Sequence, residues 1–256
     1  MEKITIIGNG NMAFAIAKGL VDSYHIEVIG RDMKKLKEFR ENLGTKIDIS
    51  EYGDSFSING KTIILAVKPN NLQAISPFLS GIAKNIFSVL AGTTIESIKR
   101  EIKSKSYIRA MPNLSALFQK SMTSITGDIY SKDLAVNIFS TIGLTLWLET
   151  ENEIDIATAI AGSGPAYLSL VAEAIADGGV KAGLKRKDSE KLVAGLFNGF
   201  PSLLENHKAS EIKDSVMSPK GTTAYGYATL EEGSVRNSFI KAIEYAYQRA
   251  VVLGEK

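Results

Sequence analysis

Lys3–Leu20 reads KITIIGNGNMAFAIAKGL, and its interpretation decides the fold. The β-branched run Ile4–Ile7 predicts a buried strand. Gly8 and Gly10 predict a tight turn, and Asn11–Leu20 a helix with apolar residues at helical spacing. Gly8 allows the bend and Gly10 lets the backbone approach a pyrophosphate. Ala13 or Ala15 lets the helix sit close to a sheet. The N–H groups that open the helix then face the phosphates. A loose G-x-G is common in ordinary βα units. Here it follows a strand, precedes a helix and opens the chain, and that context favours a dinucleotide site.

The next strand, HIEVIGRD (His25–Asp32), bears on which dinucleotide. A carboxylate at its tip would hold a ribose 2′-OH, whereas an arginine suits a 2′-phosphate. Arg31 follows the apolar run directly, which favours NADPH, with NADH possible. Asp32 is next door and is the acidic candidate if the strand ends two residues later. Further strands are expected in KTIILAVKP (Lys61–Pro69), NIFSVLAGT (Asn85–Thr93) and SYIRAMPN (Ser106–Asn113). Each finishes in small or turn-forming residues, and in an open parallel sheet that edge is where a ligand lies. SMTSIT and LTLWLE read as two closing strands around the helix SKDLAVNIFSTIG.

After Glu149 strand-like runs vanish and alanine-rich helical spacing continues to the end. NEIDIATAIAGSGPAYLSLVAEAIADGGVKAGL starts a helix, interrupts it at Gly162–Pro165 and resumes, with Pro165 in the new first turn. That second helix is expected to end near Gly178 and Gly179. RKDSEKLVAGLFNGFPSLLEN is another helix, capped by Asp188 or Ser189, and Ser234 is the candidate cap of the last one. The fold class is therefore α/β, with a Rossmann-type doubly wound sheet over residues 1–150 and an all-α domain over residues 151–256. So many apolar helical faces exceed what about 105 residues can cover by packing on themselves. A homodimer through these helices is the expectation.

Composition bounds the rest. The 256 residues are 45% apolar, and 30 basic against 28 acidic residues give a net charge of +2. No single-sign block points to nucleic acid. The absence of cysteine rules out disulfides and thiolate metal sites and fits a reducing, cytoplasmic setting. His25 and His207 are the only histidines and form no paired ligand set, so no metal is expected. Met1 leads straight into a strand, no leader is expected, and no apolar run reads as a bilayer span.

IIGNGNMA, LAVKP, RAMPN, AGSGPAY, ADGGVKAGL, SPKGTT and the closing LEEGSVRNSFIKAIEYAYQRAVVLG occur in this order. Together they resemble pyrroline-5-carboxylate reductase over nearly the whole chain. The resemblance implies reduction of Δ1-pyrroline-5-carboxylate to L-proline, the last step of proline biosynthesis. It implies a helical domain that interlocks with a second subunit. It places the substrate loop at Ser218–Thr223. Thr223 would hydrogen-bond the ring nitrogen, while Ser218 and the backbone at Thr222 and Thr223 would hold the carboxylate. Glu151 corresponds to an acidic position near the substrate. Cofactor contacts would fall on Gly8, Asn9, Gly10, Asn11 and Met12, on Ala66, Val67, Lys68 and Pro69, and on Ala91. Ser215 would lie near the nicotinamide. One departure stands out: the family usually has two glycines after the loop proline, and here the first is Lys220.

The loop also suits the chemistry. A cyclic imine needs its carbon held against a hydride donor and a proton available at nitrogen, which calls for positioning more than for covalent help. Hydroxyls and backbone N–H groups at a helix start supply that positioning. Read alone, SPKGTT is also an ordinary helix cap at Ser218 or Thr222. A β-hydroxyacid dehydrogenase would share the domain plan, but Leu168 and Ala172 occupy positions where its lysine and amide are sought. A deazaflavin-dependent NADP reductase would share only the first half. A non-catalytic NADP(H)-binding dimeric sensor would not need the loop.

Overall fold

The structure is a computed structural model that describes residues 2–44, 47–53 and 55–254. Its strands are β1 (Lys3–Ile7), β2 (His25–Gly30), β3 (Ile47–Glu51), β4 (Phe56–Ser57), β5 (Thr62–Leu65), β6 (Leu79–Ser80), β7 (Asn85–Ser88), β8 (Tyr107–Met111), β9 (Ser121–Gly127) and β10 (Gly143–Trp147). Eight of them form one sheet in the order β10-β9-β8-β7-β5-β1-β2-β3, and β4 with β6 makes a small second sheet. From β3 to β8 every pair is parallel. β9 then runs antiparallel to β8, and β10 parallel to β9. The chain reverses its direction of travel between β1 and β5, which opens the crevice where dinucleotides bind in doubly wound sheets.

Helices α1 (Asn11–Leu20), α2 (Met33–Leu43), α3 (Leu72–Ile75), α4 (Ile95–Glu101) and α5 (Lys132–Ser140) follow the strands. Ile4 and Ile6 of β1 join a core with Ala13, Ile16 and Leu20 of α1, while Ile7 joins another with Leu72 and Ile75 of α3 and Ile98 of α4. Both faces of the sheet are thus covered, and the central strands can be continuous β-branched runs. β3 and the small sheet were not expected from the sequence: IDISE alternates polar and apolar residues and lies at the sheet's edge.

The chain divides into two compact units, residues 1–163 with 245–256, and residues 164–244. Within the first, α6 (Glu151–Ala157) starts at a capping box: the Thr150 side chain accepts from Glu153 N while the Glu153 side chain accepts from Thr150 N. A π-helical turn over Thr158–Gly162 follows. Helices α7 (Gly164–Lys181), α8 (Arg186–Asn206), α9 (Ala209–Val216) and α10 (Thr222–Glu232) make up the second unit with the first part of α11 (Val235–Gly254).

Three local expectations change. α7 does not stop at Gly178 and Gly179 but runs on to Lys181, and the turn comes at Gly183 with φ +112°. Gly179 instead gives α8 room, because a Cβ there would collide with the Ser189 side chain. α8 starts earlier than expected, at Arg186, so Asp188 and Ser189 lie inside it, and the buried Ser189 hydroxyl donates to Ala176 O at 2.8 Å. Finally, the stretch Glu151–Lys181 contains an 18-residue window of mean hydropathy 1.3, enough by length and composition to cross a bilayer. It does not stand out as a run because its Ile, Leu and Val residues are spaced among Ala, Gly and Ser.

Candidate cofactor and substrate sites

The turn after β1 is built as its glycines require. Gly8 has φ +122°, and its N–H donates to Ile29 O of β2 at 2.8 Å. A Cβ at Gly8 would stand 2.5 Å from Ala66 O, so the backbones after β1 and β5 meet with no room for a side chain. Gly10 has open space where a Cβ would be. α1 begins at Asn11, and Phe14 N is the first helical N–H to find a carbonyl, Gly10 O at 2.9 Å. The amides of Asn11, Met12 and Ala13 precede that first intrahelical bond.

A cavity of about 610 Å³ opens there, within the first unit. It brings together Gly8, Asn9, Gly10, Arg31, Ala66, Val67 and Lys68 of the expected cofactor contacts. Asn11 and Met12 start the adjoining helix. Pro69 opens a short 3₁₀ turn after Lys68 and lines a separate, smaller cavity with Gly92 and Arg100. Ala91 follows β7 and does not line the larger cavity. The sequence reading missed Lys35, Tyr52, Asn71 and Ile75 on its walls. Burial pushes the Tyr52 phenol above its ordinary range, with the positive charge of Arg31 working against it. Asp32, the acidic alternative at the β2 tip, is the N-cap of α2 and accepts from Lys34 N at 3.0 Å and Lys35 N at 3.2 Å.

These features fit a dinucleotide. Asn9 Nδ2 is buried without a hydrogen-bond partner among the described residues, a donor the folded chain leaves for something else. The helix start supplies N–H groups for a pyrophosphate, and the β2 tip supplies cations.

Glu151 lies in the first unit, at the start of α6. Its Oε1 accepts from Ile95 N at 2.9 Å and from Arg109 Nη1 at 3.3 Å. Arg109 Nη2 also pairs with Asp155 Oδ1 at 2.5 Å. Arg109 is only 2% exposed. The sequence reading passed over this buried group of charges; an arginine between apolar strand residues, with acids on one face of a helix, was the available signal.

In the second unit, Ser215, Ser218, Thr222 and Thr223 cluster around the connection from α9 to α10. Ser215 Oγ donates to Ile212 O at 2.8 Å. Gly221 N donates to Ser218 O at 3.0 Å, closing a four-residue turn with Pro219 second and Lys220 third. Lys220 has φ +60°. Proline second and a positive φ third is the pattern of a type II turn, whose third place favours glycine. Gly221 holds the N-cap of α10, so neither Ser218 nor Thr222 caps that helix. A Cβ at Gly221 would collide with the Ser218 hydroxyl. The turn is braced from both sides: Lys213 of α9 lies over the Tyr227 ring of α10, and Arg236 Nη2 of α11 donates to Tyr227 OH at 2.5 Å.

Lys220 therefore carries backbone strain of about 1 kcal/mol. Stability is expected to rank Lys220→Gly above the parent and Lys220→Val below it, with steps of about 0.5–1.5 kcal/mol read from urea melts. A Lys220→Val protein as stable as the parent would show that the turn does not hold this conformation.

Residues 151–253 match the family model described as pyrroline-5-carboxylate reductase dimerisation. Residues 3–92 match a model described as NADP oxidoreductase, coenzyme F420-dependent. A pyrroline-5-carboxylate reductase of Helicobacter pylori is 35% identical over 249 residues, covering 94% of this chain and 96% of that one. One of Synechocystis is 35% identical over 269 residues, covering 99% of both. Among solved structures, a pyrroline-5-carboxylate reductase from Coxiella burnetii superposes with a TM-score of 0.86 at 31% identity, covering 99% of this chain and 98% of that one. The Plasmodium falciparum pyrroline carboxylate reductase with NADP bound gives 0.80 at 28% identity, with the same coverage. With full-length relatives above 30% identity and a dimerisation model spanning its helical region, the chain belongs to the pyrroline-5-carboxylate reductase family.

Proposed function

We propose that this protein reduces Δ1-pyrroline-5-carboxylate to L-proline with NADPH, residues 1–150 forming the dinucleotide-binding domain and residues 151–256 the substrate and dimerisation domain. The observation that carries this reading is the hydroxyl-bearing turn Ser218–Thr223 at the start of α10, in a family member that also has a cofactor cavity after β1 and β5. NADPH is supported by Arg31 at the β2 tip and by the NADP-bound Plasmodium falciparum relative.

When bound, the cofactor supplies the hydride. The chain supplies the rest. Gly8, Asn9 and Gly10, the amides of Asn11 and Met12, Ala66–Lys68 and Arg31 would hold the dinucleotide at this cavity, and Pro69 and Ala91 would meet it beyond the cavity's walls. Ser218 and the amides of Thr222 and Thr223 hold the substrate carboxylate, where the N-terminal end of α10 favours negative charge. The Thr223 hydroxyl orients the ring nitrogen. A threonine is a poor acid, so the proton reaches nitrogen with the protonated imine or through water. In this reading Glu151 matches the family's acidic position near the substrate, and Ser215 its position near the nicotinamide. The Glu151 contacts with Arg109 and Ile95 N fix where its carboxylate sits.

A homodimer is part of the proposal. α7, α8, α10 and α11 leave Leu170, Leu192, Tyr225 and Ile240 exposed, more apolar surface than scattered side chains need. A cytoplasmic location is proposed with it, in keeping with the absence of cysteine.

The test follows NADPH absorbance with Δ1-pyrroline-5-carboxylate and identifies the product. Proline should form, and Thr223→Ala should lower kcat by about 10-fold to 100-fold, the range of a lost orienting hydrogen bond. Cofactor binding without turnover of the imine would refute the reductase reading. Unchanged kcat/KM in the variant would refute only the role of Thr223.

A further inference from the structure

We propose that the last turn of α11 is a positioning element of the cofactor site: Leu253 seats on Gly92 and holds the Ala91–Thr93 turn at the sheet edge that meets the dinucleotide. The inference rests on the reading of that edge as the cofactor site.

The contact is set by two backbones. Gly92 is buried and has φ +63°, a conformation that favours glycine. A Cβ there would stand 2.7 Å from Leu253 Cβ. A Cβ on Gly254 would lie 3.3 Å from Gly92 O and 3.6 Å from Thr94 Cγ2. A Cβ is fixed to its own backbone, so a side chain at position 92 would push turn and helix apart.

α11 is fastened where it makes this contact. Tyr247, Ala250 and Gly254 fall at i, i+3 and i+7, on one face of the helix. Tyr247 OH donates to Asn152 Oδ1 of α6 at 2.6 Å, and Ala250 is buried. All of these contacts lie within the first unit. The turn that α11 meets is closed only by a long bond of its own, Thr93 N to Leu90 O at 3.4 Å. The seat of Leu253 and Gly254 therefore decides where it stands.

A cavity of about 200 Å³ shows what the turn is held against. Pro69, Gly92, Thr93, Leu253 and Gly254 are among its walls. Pro69 follows β5 and Gly92 follows β7, neighbouring strands whose carboxyl ends form the ligand edge. The end of α11 thus shares a cavity with both segments proposed to meet the dinucleotide. Leu253 is 42% exposed, so its seat buries little apolar surface. Its contribution is the place of the turn rather than the stability of the fold.

The experiment titrates NADPH and NADH, by nicotinamide fluorescence, into the full-length parent, Leu253→Gly and Val252→Gly. Val252 is in the same helical turn, is exposed and does not line the cavity. Val252→Gly thus carries the same cost in helix propensity without the contact. Leu253→Gly should raise the Kd for both dinucleotides about fivefold, the lower end of coupling between separate elements, with Val252→Gly close to the parent. Both cofactors shift alike because β5 and β1 separate β7 from the β2 tip that carries Arg31. In the parent, NADPH should slow hydrogen exchange at the Leu253 and Gly254 amides, a response that a purely structural contact would not give. Gly92→Ala should lower Tm less in the Leu253→Gly background than in the parent, because its clash partner is gone. A Leu253→Gly protein that binds like Val252→Gly, a shift for NADPH alone, exchange unchanged by NADPH, or additive effects on Tm overturns the proposal and leaves the cofactor reading standing. A parent that binds neither dinucleotide refutes the cofactor reading and the proposal with it.

Discussion

Arg109→Ala is expected to lower the unfolding free energy by about 3–5 kcal/mol, the cost of removing one partner from a buried ion group. For a chain of this size that corresponds to a fall in Tm of about 6–20 °C. The physical reason lies in what remains. Arg109 leaves β8 from a site 2% exposed, and its guanidinium reaches Asp155 at 2.5 Å and Glu151 at 3.3 Å, both on α6. Asp155 is itself buried. Without the guanidinium, that carboxylate loses its counter-charge where water cannot replace it. The loss then spreads, because Glu151 also holds Ile95 N at the start of α4. One cation thus ties β8, α6 and α4 together within the sheet-bearing unit. Arg109→Met separates charge from volume. It fills much of the space but leaves the acids unpaired, so it should remain destabilised, and adding Asp155→Leu should recover most of the loss. Urea melts of the four proteins decide it. An Arg109→Met protein as stable as the parent would show that packing, not charge, is what Arg109 contributes.

That group also shows where sequence reading ends. The strand–turn–helix unit over Lys3–Leu20 was legible because its signals are local: alternation, glycine spacing and apolar period fall within eighteen residues. The two strands around α5 and the break near Gly162 were legible for the same reason. The partners of Arg109 lie 42 and 46 residues away, and only the packing of α6 against β8 brings them together. β3 was lost because an edge strand needs little apolar patterning. At the Ser218–Thr223 turn the departure at Lys220 was visible, but not its consequence, since a single residue does not reveal its own φ. At the cofactor end Arg31 was found and Lys35 was not. A lysine in the first turn of a helix looks like any solvated lysine until the cap at Asp32 fixes where the helix begins. Glycines 178 and 179 misled in the opposite sense: they looked like a stop, but Gly179 makes room for Ser189 of α8.

Gly8→Ala should weaken NADPH binding by about 100-fold or more while the protein still folds, a loss of about 2.7 kcal/mol in binding free energy. Two independent constraints meet at this residue. Its φ of +122° is one that L side chains rarely adopt, and holding alanine there costs about 1–3 kcal/mol. The added methyl would also stand 2.5 Å from Ala66 O and 2.7 Å from Ala66 C. Those atoms are backbone and cannot rotate away as a side-chain end could. The strain must be relieved by parting the turn after β1 from the segment after β5. Both line the cavity, and Gly8 N is hydrogen-bonded to Ile29 O just before the β2 tip. The walls proposed to hold the pyrophosphate and the strand end that carries Arg31 would shift together. The sheet itself should survive, because the β1 pairing with β2 and β5 ends at Ile7. The expected signature is a far-UV spectrum like the parent's, a Tm lower by several degrees at about 2–4 °C per kcal/mol, and a collapse of NADPH affinity. Gly10→Ala is the contrast: nothing lies near its Cβ position in the folded chain, so stability should hold, and only ligand approach should suffer. If Gly8→Ala bound NADPH like the parent, the close meeting of the two turns would not be what shapes the cofactor site.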